Sequence, residues 1–340
     1  MDDVSKSNER RRERLDRGIK VRSDGIYVLL SWKEISYLLV PRALLVITML
    51  VVPAFLPPIW QRIVCLSGIF ALLAMAFDFL LSFVGLVCLG GALWIGLGGY
   101  IAGILASEFG LSPAVTLPIA TFGGAAICTL LFLPCLPLRG IYFAIATFIY
   151  PLLFSHIIET LHIAGGTFGL SGLPTFPNIW ISIYLMVIFL LVIFFGLRRV
   201  VHEDMGLVFQ GIRDNDQAIR ASGLNITFWK TAAVFVASAI GCFAGAYLCA
   251  LYGWAGISFF AFDFSILPIA AAVMGGLGTF TGALLGSLVL VPLTEFLRAF
   301  GSLRMVLYAA ILAVFVVTRP EGIMPYLTRK YHQFERWVEV

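Results

Sequence analysis

One carboxylate lies inside an apolar stretch and is the first candidate for chemistry. Asp78 stands near one end of an apolar run at 63–82. A charged side chain inside a membrane is energetically costly and commonly faces a polar interior. We therefore predict that Asp78 lines a water-filled path or makes a polar contact. The alternatives are a carboxylate that reaches the membrane interface and one that pairs with a backbone group.

A second candidate is the pattern H-x-x-E-x-x-H formed by His156, Glu159 and His162. Spacings of three place these side chains near one face of a helix. Two imidazoles and a carboxylate there could bind a metal ion or serve a membrane-embedded enzyme. We expect instead hydrogen-bonded residues near the outer surface, with no metal.

Motifs for nucleotide binding and catalysis are missing from the sequence. None of the five lysines follows a glycine, so the pattern G-x-x-x-x-G-K-[ST] does not occur. The chain therefore has no P-loop of its own to cradle ATP phosphates. H-E-x-x-H, G-x-S-x-G and S-x-x-K are missing as well. We predict that the chain is not an enzyme and binds no cofactor.

The polar segment 210–230 has the signals of a short helix. Asp214 or Asn215 can cap its start, and Gly223 can end it. Such an amphipathic helix could lie on the membrane or dock into a groove on another protein, and the segment alone does not decide between the two. Its predicted apolar side consists of Ile212, Ala218, Ile219 and Leu224.

These candidates belong to a membrane protein. Of the 340 residues, 60% are hydrophobic and 12% are charged, whereas soluble domains have about 25% charged residues. The segments 1–34, 197–230 and 319–340 hold 32 of the 42 charges. Acidic residues interleave with the N-terminal arginines, which argues against nucleic-acid binding and for a solvated tail.

Ten apolar runs are candidates for membrane-spanning helices, and the fold class is an all-α polytopic membrane protein. At about 20 residues a span, those at 263–277 and 303–318 are short and would be tilted, broken or partly re-entrant. The domain prediction is a tail at 1–34, a membrane domain at 35–318 containing a loop at 198–230, and a tail at 319–340. The runs are 36–57, 63–82, 86–107, 113–134, 140–160, 178–197, 231–252, 263–277, 279–297 and 303–318.

The orientation follows from the positive charges. Residues 1–34 carry nine Lys or Arg, which places the N-terminus in the cytosol. Ten alternating spans then place the 198–230 loop and the C-terminal tail on the same side. The loops at 161–177 and 252–256 would lie outside. The first apolar run follows a polar tail, so we predict an uncleaved first span.

Small residues indicate close helix packing. Gly278, Gly282 and Gly286 recur every four residues, the first just before the predicted span 279–297 and the other two within it. Six cysteines lie in apolar runs without C-x-x-C, and we predict buried thiols rather than a metal or disulfide framework. They are Cys65, Cys88, Cys128, Cys135, Cys242 and Cys249.

The ten runs also divide into two similar halves. Runs two to five and seven to ten each contain four apolar segments, and the sixth run with the 198–230 loop separates them. With alternating spans, the second half is inverted relative to the first, which is a common plan of transporters.

Five segments together resemble one known family. The segment 212–225, IRDNDQAIRASGLN, resembles the cytosolic coupling segment of permease subunits of branched-chain amino acid ABC transporters, the LivM type. Four other segments resemble the same family and occur in its order: PLRGIYFAIAT at 137–147, GGTFGLSGLP at 165–174, MGGLGTFTGALLG at 274–286 and RPEGI at 319–323. The coupling segment lies between the second and the third of these four.

The resemblance implies the fold and partners of a type II importer permease. We expect a second homologous permease subunit, two cytosolic ATPase subunits that bind the ATP, and a periplasmic binding protein, all at the inner membrane. It implies translocation of branched-chain amino acids or a related small polar solute by alternating access. The implied coupling residues are Asp214, Asn215, Asp216, Ala218, Arg220, Ala221, Gly223 and Asn225; those of the path are Asp78, Gly91, Gly165, Gly166, Gly275 and Gly276.

Some positions depart from the family pattern, and they bear on the solute. Asp78 stands where the family often has Asn, and Gly91 where it often has His. Leu152 replaces an acidic residue, Ala164 a threonine and Ala283 a proline. An ion-coupled secondary transporter and a membrane enzyme that uses His156, Glu159 and His162 are the alternative functions.

Overall fold

The computed structural model describes residues 52–138, 140–301, 303–318 and 322–326. The predicted N-terminal tail, most of the first span and nearly all of the C-terminal tail lie outside these residues. The other nine predicted spans lie within them.

The described chain is a succession of helices with one small sheet. The helices are α1 Pro58–Asp78, α2 Gly91–Phe109, α3 Pro113–Phe132, α4 Ile141–Leu161, α5 Ile179–His202, α6 Asp204–Asp214, α7 Asp216–Ala221, α8 Ile226–Tyr252, α9 Asp263–Gly275, α10 Phe280–Phe296 and α11 Leu303–Thr318. The strands are β1 Leu170–Ser171 and β2 Trp254–Ala255. A π-helical turn, Phe79–Val84, continues α1, and short 3₁₀ helices are Val52–Phe55, Leu133–Cys135, Ile163–Phe168, Ile257–Phe260 and Leu297–Phe300.

A helix stands at each of the nine predicted spans. Seven of the described helices are long and apolar enough to cross a membrane, and two shorter apolar helices follow at Phe280–Phe296 and Val306–Phe315. The span predicted as short, 263–277, is a short helix preceded by a 3₁₀ turn at Ile257–Phe260. A polytopic helical membrane fold is therefore confirmed.

The two halves pack by exchanging partners. Helix α8, the first of the second half, packs mainly on α2 and α3 of the first half. Helix α1, the first of the first half, packs mainly on α10 and α9 of the second. The leading helix of each half therefore packs into the opposite half.

Glycines let the central helices approach closely. A Cβ on Gly98 of α2 would lie 2.7 Å from the Cα of Cys242 on α8, and one on Gly245 would lie 2.8 Å from the Cα of Ile95. Gly282 and Gly286 of α10 pack in the same way on α9, whereas Gly278 precedes α10 and belongs to the break before it. Small residues at such contacts hold helices together in lipid.

The six cysteines form no disulfide bonds, and two of them meet between helices. All six are free and buried, as predicted. The Sγ atoms of Cys128 on α3 and Cys242 on α8 are 3.8 Å apart. They fill space between two helices as small apolar groups.

Helices α4 and α5 form the periphery. In the most apolar stretch of each, 28% of residues are buried, against 83% for the stretch that begins with α1. Exposed side chains such as Ile149, Ile188 and Phe195 are large and apolar. A hydrocarbon environment suits such faces, which fits a bundle with α1 and α8 at its centre.

Two loops meet at one end of the bundle. Strand β1 pairs antiparallel with β2, with Leu170 opposite Ala255. The indole N–H of Trp254 donates to the Phe168 carbonyl at 3.2 Å. The segments 161–177 and 252–256 therefore lie on the same side, as the alternating topology predicts.

Candidate functional site

The segment between α5 and α8 forms two short helices at the end of the bundle opposite β1 and β2. Asn215 is the N-cap of α7, because its Oδ1 accepts from the backbone N–H groups of Gln217 at 3.0 Å and Ala218 at 3.2 Å. Asp214 instead ends α6 and accepts from the Nε of Arg213 at 3.0 Å. Gly223, with φ +84°, follows the C-cap. The predicted helix with a left-handed glycine after it is confirmed.

The predicted single apolar side of this segment is wrong. Ile212 belongs to α6 and is buried within the bundle, and the Ile219 side chain packs against Gly211 of α6. Ala218 and Leu224 remain exposed. The chain turns at Asn215, so the residues on either side of it belong to two helices rather than to one face.

The exposed surface of α7 is small and polar. None of its residues is buried. Asn225 caps the next helix, since its Oδ1 accepts from the Phe228 N–H at 3.3 Å. The exposed members of the predicted coupling set are Asp214, Asn215, Ala218, Arg220, Ala221, Gly223 and Asn225.

An ion pair fastens α7 to the bundle. The Nζ of Lys230, in the first turns of α8, lies 3.2 Å from Asp216 Oδ2, and the two side chains are 9% and 11% exposed. A pair so shielded from water is costly to break, because one charge would stay buried without the other. Lys230 was not among the predicted site residues; its signal was a lone lysine at the edge of a long apolar run.

Asp78 lies at the same end, beneath this segment. It is fully buried, and its Oδ1 accepts from the Ser82 hydroxyl and from the Gly278 N–H, each at 2.7 Å. Of the three sequence hypotheses, the contact with a backbone group is the one the structure contains. A role of Asp78 in lining the path stays a prediction.

The path glycines occupy three places in the molecule. Gly275 is the last residue of α9, and Gly276, with φ +111°, begins the break between α9 and α10. A Cβ on Gly91 would lie 2.6 Å from the carbonyl oxygen of Phe264, so this glycine allows α2 to touch the start of α9. Gly165 and Gly166 lie at the opposite end, in the left-handed turns before β1. The six candidates therefore do not form one cluster.

Two hydroxyls missed by the sequence analysis accept from backbone N–H groups just before and at the start of α2. The segment 85–90 between the π-helical turn and α2 is non-helical. The N–H of Leu89 donates to Thr147 Oγ1 and that of Ala92 to Ser265 Oγ, both at 3.0 Å. Non-helical backbone at membrane depth is tolerated where it is buried in protein or lines a cavity. The only sequence signal was isolated hydroxyls in apolar helices.

The H-x-x-E-x-x-H residues do not share a helix face. His156 Nδ1 lies 3.5 Å from Glu159 Oε2, and both side chains are exposed. Helix α4 ends at Leu161, and His162 has a left-handed backbone, with φ +52°. The predicted alignment of all three is wrong for this reason. Within the described residues, no group of three potential ligands could hold a metal.

A comparison with known proteins decides the family. The family model described as "Branched-chain amino acid transport system / permease component" matches residues 59–317. The chain belongs to this family. It is a multi-pass permease subunit of an ABC importer, and the match covers α1 to α11 almost completely.

Curated relatives agree with the family. The high-affinity branched-chain amino acid transport system permease protein LivM of Salmonella typhimurium is 28% identical over 298 residues, covering 77% of this chain and 69% of that protein. The Escherichia coli protein of the same name gives the same figures. A probable LivM of Methanocaldococcus jannaschii is 26% identical over 136 residues, covering 38% and 39%. No solved structure matches.

Proposed function

We propose that this permease carries branched-chain amino acids or a related small polar solute across the inner membrane, driven by separate ATPase subunits. The observation that carries the proposal is the α6–α7 segment. It presents an exposed, capped short helix at one end of the bundle and is fastened to the core by the nearly buried pair of Asp216 and Lys230.

The proposed partners are those of a type II importer. They comprise a second homologous permease subunit, two cytosolic ATPase subunits that bind ATP, and a periplasmic binding protein. The lack of a P-loop anywhere in the sequence supports an external source of energy. On this proposal the chain itself is not an enzyme and binds no cofactor.

The mechanism we propose is alternating access. Closure of the ATPase dimer displaces α7, and the ion pair to Lys230 passes that displacement to α8, which packs on both α2 and α3. The helices of the two halves then change their packing around the path. Both termini and α7 face the cytosol in this scheme, and β1 and β2 face the periplasm.

Reconstitution tests the proposal. The chain is coexpressed with its neighbouring transport genes, purified in mild detergent and placed in liposomes with the binding protein. We expect an ATPase to copurify. One of leucine, isoleucine, valine, urea or acetamide should accumulate only when ATP is present on the side of the membrane that holds the ATPase subunits. Uptake by this chain alone, driven by an ion gradient, would identify a secondary transporter. Turnover of a solute without ATPase would identify an enzyme.

A further inference from the structure

A continuous set of contacts joins the coupling segment to the break between α9 and α10. Arg213, in the last turn of α6, donates through Nη1 to the Ser82 carbonyl. The Ser82 hydroxyl donates to Asp78 Oδ1 at 2.7 Å, and the same oxygen accepts from the Gly278 N–H. These contacts join α6, in the middle of the sequence, to Asp78 in the first half and Gly278 in the second.

We propose that Asp78 is a positioning residue of the transport cycle, whose carboxylate links the coupling segment, through Ser82 and Arg213, to the backbone break at Gly276–Thr279. This inference rests on the proposed coupling to an ATPase. It differs from a role in lining the path, because the carboxylate acts on the protein backbone and not on the solute.

The parts joined by Asp78 are both irregular backbone. Residues Phe79–Val84 form a π-helical turn, a geometry frequent at functional sites. Gly276 and Gly278 have φ of +111° and +78°, so the break uses backbone conformations that only glycine adopts easily. Phe209 of α6 packs edge-on against Phe79, with ring centroids 5.6 Å apart, so α6 presses directly on the turn.

There is room for these parts to shift. A pocket of about 420 Å³ opens beside the contacts. It is lined by residues from both sides of the link. The lining residues are Leu81, Ser82, Phe83, Gln210, Arg213, Leu277 and Gly278.

The carboxylate itself has an unused acceptor. Asp78 Oδ2 is buried and has no hydrogen-bond partner among the described residues. A buried polar atom without a partner is unfavourable and calls for an explanation. A second arrangement of the link, in which Oδ2 accepts a hydrogen bond, supplies one, and two arrangements of one link are what a transport cycle needs.

The guanidinium of Arg213 connects this link to the exterior. Its Nε donates to Asp214 Oδ1 while its Nη1 holds the Ser82 carbonyl. Asp214 is exposed on the coupling segment. A partner that draws Asp214 away therefore changes how Arg213 holds Ser82, and with it the position of Asp78.

The test measures solute transported per ATP hydrolysed in the full reconstituted complex, using the panel solute that the parent accumulates most. We expect Asp78→Ala to keep ATPase binding and basal hydrolysis while this ratio falls at least about tenfold. Asp78→Asn should restore the ratio to within about threefold of the parent, since its amide oxygen can still accept both hydrogen bonds.

Ser82→Ala is the second variant. It removes only the hydroxyl that donates to Asp78 Oδ1, so it should also lower the ratio. Ser287→Ala is the matched control: the Ser287 hydroxyl is buried and donates to the Ala283 carbonyl of its own helix at 2.8 Å. It should transport like the parent. If Asp78→Ala or Ser82→Ala keeps the parent's ratio, the inference is overturned while the proposed function stands. A parent complex without ATP-driven uptake would instead overturn the proposed function.

Discussion

At the scale of single residues, the nearly buried pair of Asp216 and Lys230 is the clearest energetic feature of the coupling segment. Exposed pairs are screened by water and contribute little, whereas a shielded pair leaves a buried charge when one member is removed. The chain contains both kinds, since Arg199 and Glu203 form a 2.7 Å pair whose side chains are 81% and 47% exposed.

We expect Lys230→Met to destabilise the purified subunit by about 3 kcal/mol, because it removes the ammonium group from a shielded carboxylate. The measurement is the free energy of unfolding in mixed detergent micelles. The control, Arg199→Met, should change it by less than about 1 kcal/mol. The exchange Asp216→Lys with Lys230→Asp should recover part of the loss. Equal effects of the two methionine variants would contradict the assignment.

Sequence patterns found the ionisable candidates but not their partners. Asp78 was singled out as a carboxylate in an apolar run, yet its contact with Gly278 joins residues 200 positions apart. Helical periodicity relates neighbours three and four residues apart and carries no information on such pairs. The His156, Glu159 and His162 alignment failed because periodicity does not reveal where a helix ends.

At the scale of elements, two kinds of glycine contribute in different ways. Gly98 allows α2 to touch the backbone of α8, whereas Gly223 supplies a left-handed turn after α7. The first kind sets helix separation, and the second sets the direction of the chain.

Substitution of Gly98 by alanine should lower the stability of the isolated subunit. The added methyl would overlap the Cys242 backbone and push α2 from α8, at a cost of about 1–3 kcal/mol. Gly123→Ala on α3 is the control, because its Cβ would meet nothing within 4 Å; it should be neutral or slightly stabilising. Unfolding in mixed micelles measures both, and a Gly98→Ala variant as stable as the parent would refute the packing argument.

The coupling helix should tolerate change in the free subunit but not in the complex. Ala218→Glu adds bulk and charge to an exposed small residue, and Gly223→Val strains a left-handed backbone by more than about 1 kcal/mol. We expect normal amounts in the membrane, with loss of both ATPase copurification and ATP-driven uptake.

The matched control for this prediction is Gly110→Val. Gly110 is also left-handed, with φ +62° and open space around it, but it ends α2 at a distance from the coupling helix. It should keep the ATPase. If α7 lies on the membrane instead of docking on the ATPase, Ala218→Glu should also keep the ATPase. That result would exclude docking.

At the scale of the whole molecule, the hydrophobic pattern predicted which segments cross the membrane, and the structure has a helix at each described one. It also divided the chain into two halves. It did not predict that α1 packs on α9 and α10 while α8 packs on α2 and α3, since apolar composition is the same on every side of a central helix. Nor did it predict the π-helical turn at Phe79–Val84, which depends on tertiary contacts.

The proposed orientation can be measured with cysteine labelling. The six native cysteines are buried and are replaced by alanine. In intact spheroplasts an impermeant maleimide should label Ser171→Cys in β1, which is exposed, and should spare Ser5→Cys and Ser222→Cys. The latter two should react after the membrane is opened. Labelling of Ser5→Cys from outside would reverse the topology.

The contact between Asp78 and Gly278 also has a consequence during protein synthesis. The two residues are 200 positions apart, and ribosomes add about 5–20 residues per second. The carboxylate is therefore made roughly 10–40 s before its backbone donor exists. During that interval, of its two hydrogen-bond donors in the folded protein, only the Ser82 hydroxyl, four residues later, has been made. We therefore expect Asp78 to become fully buried only after the second half of the chain has been added.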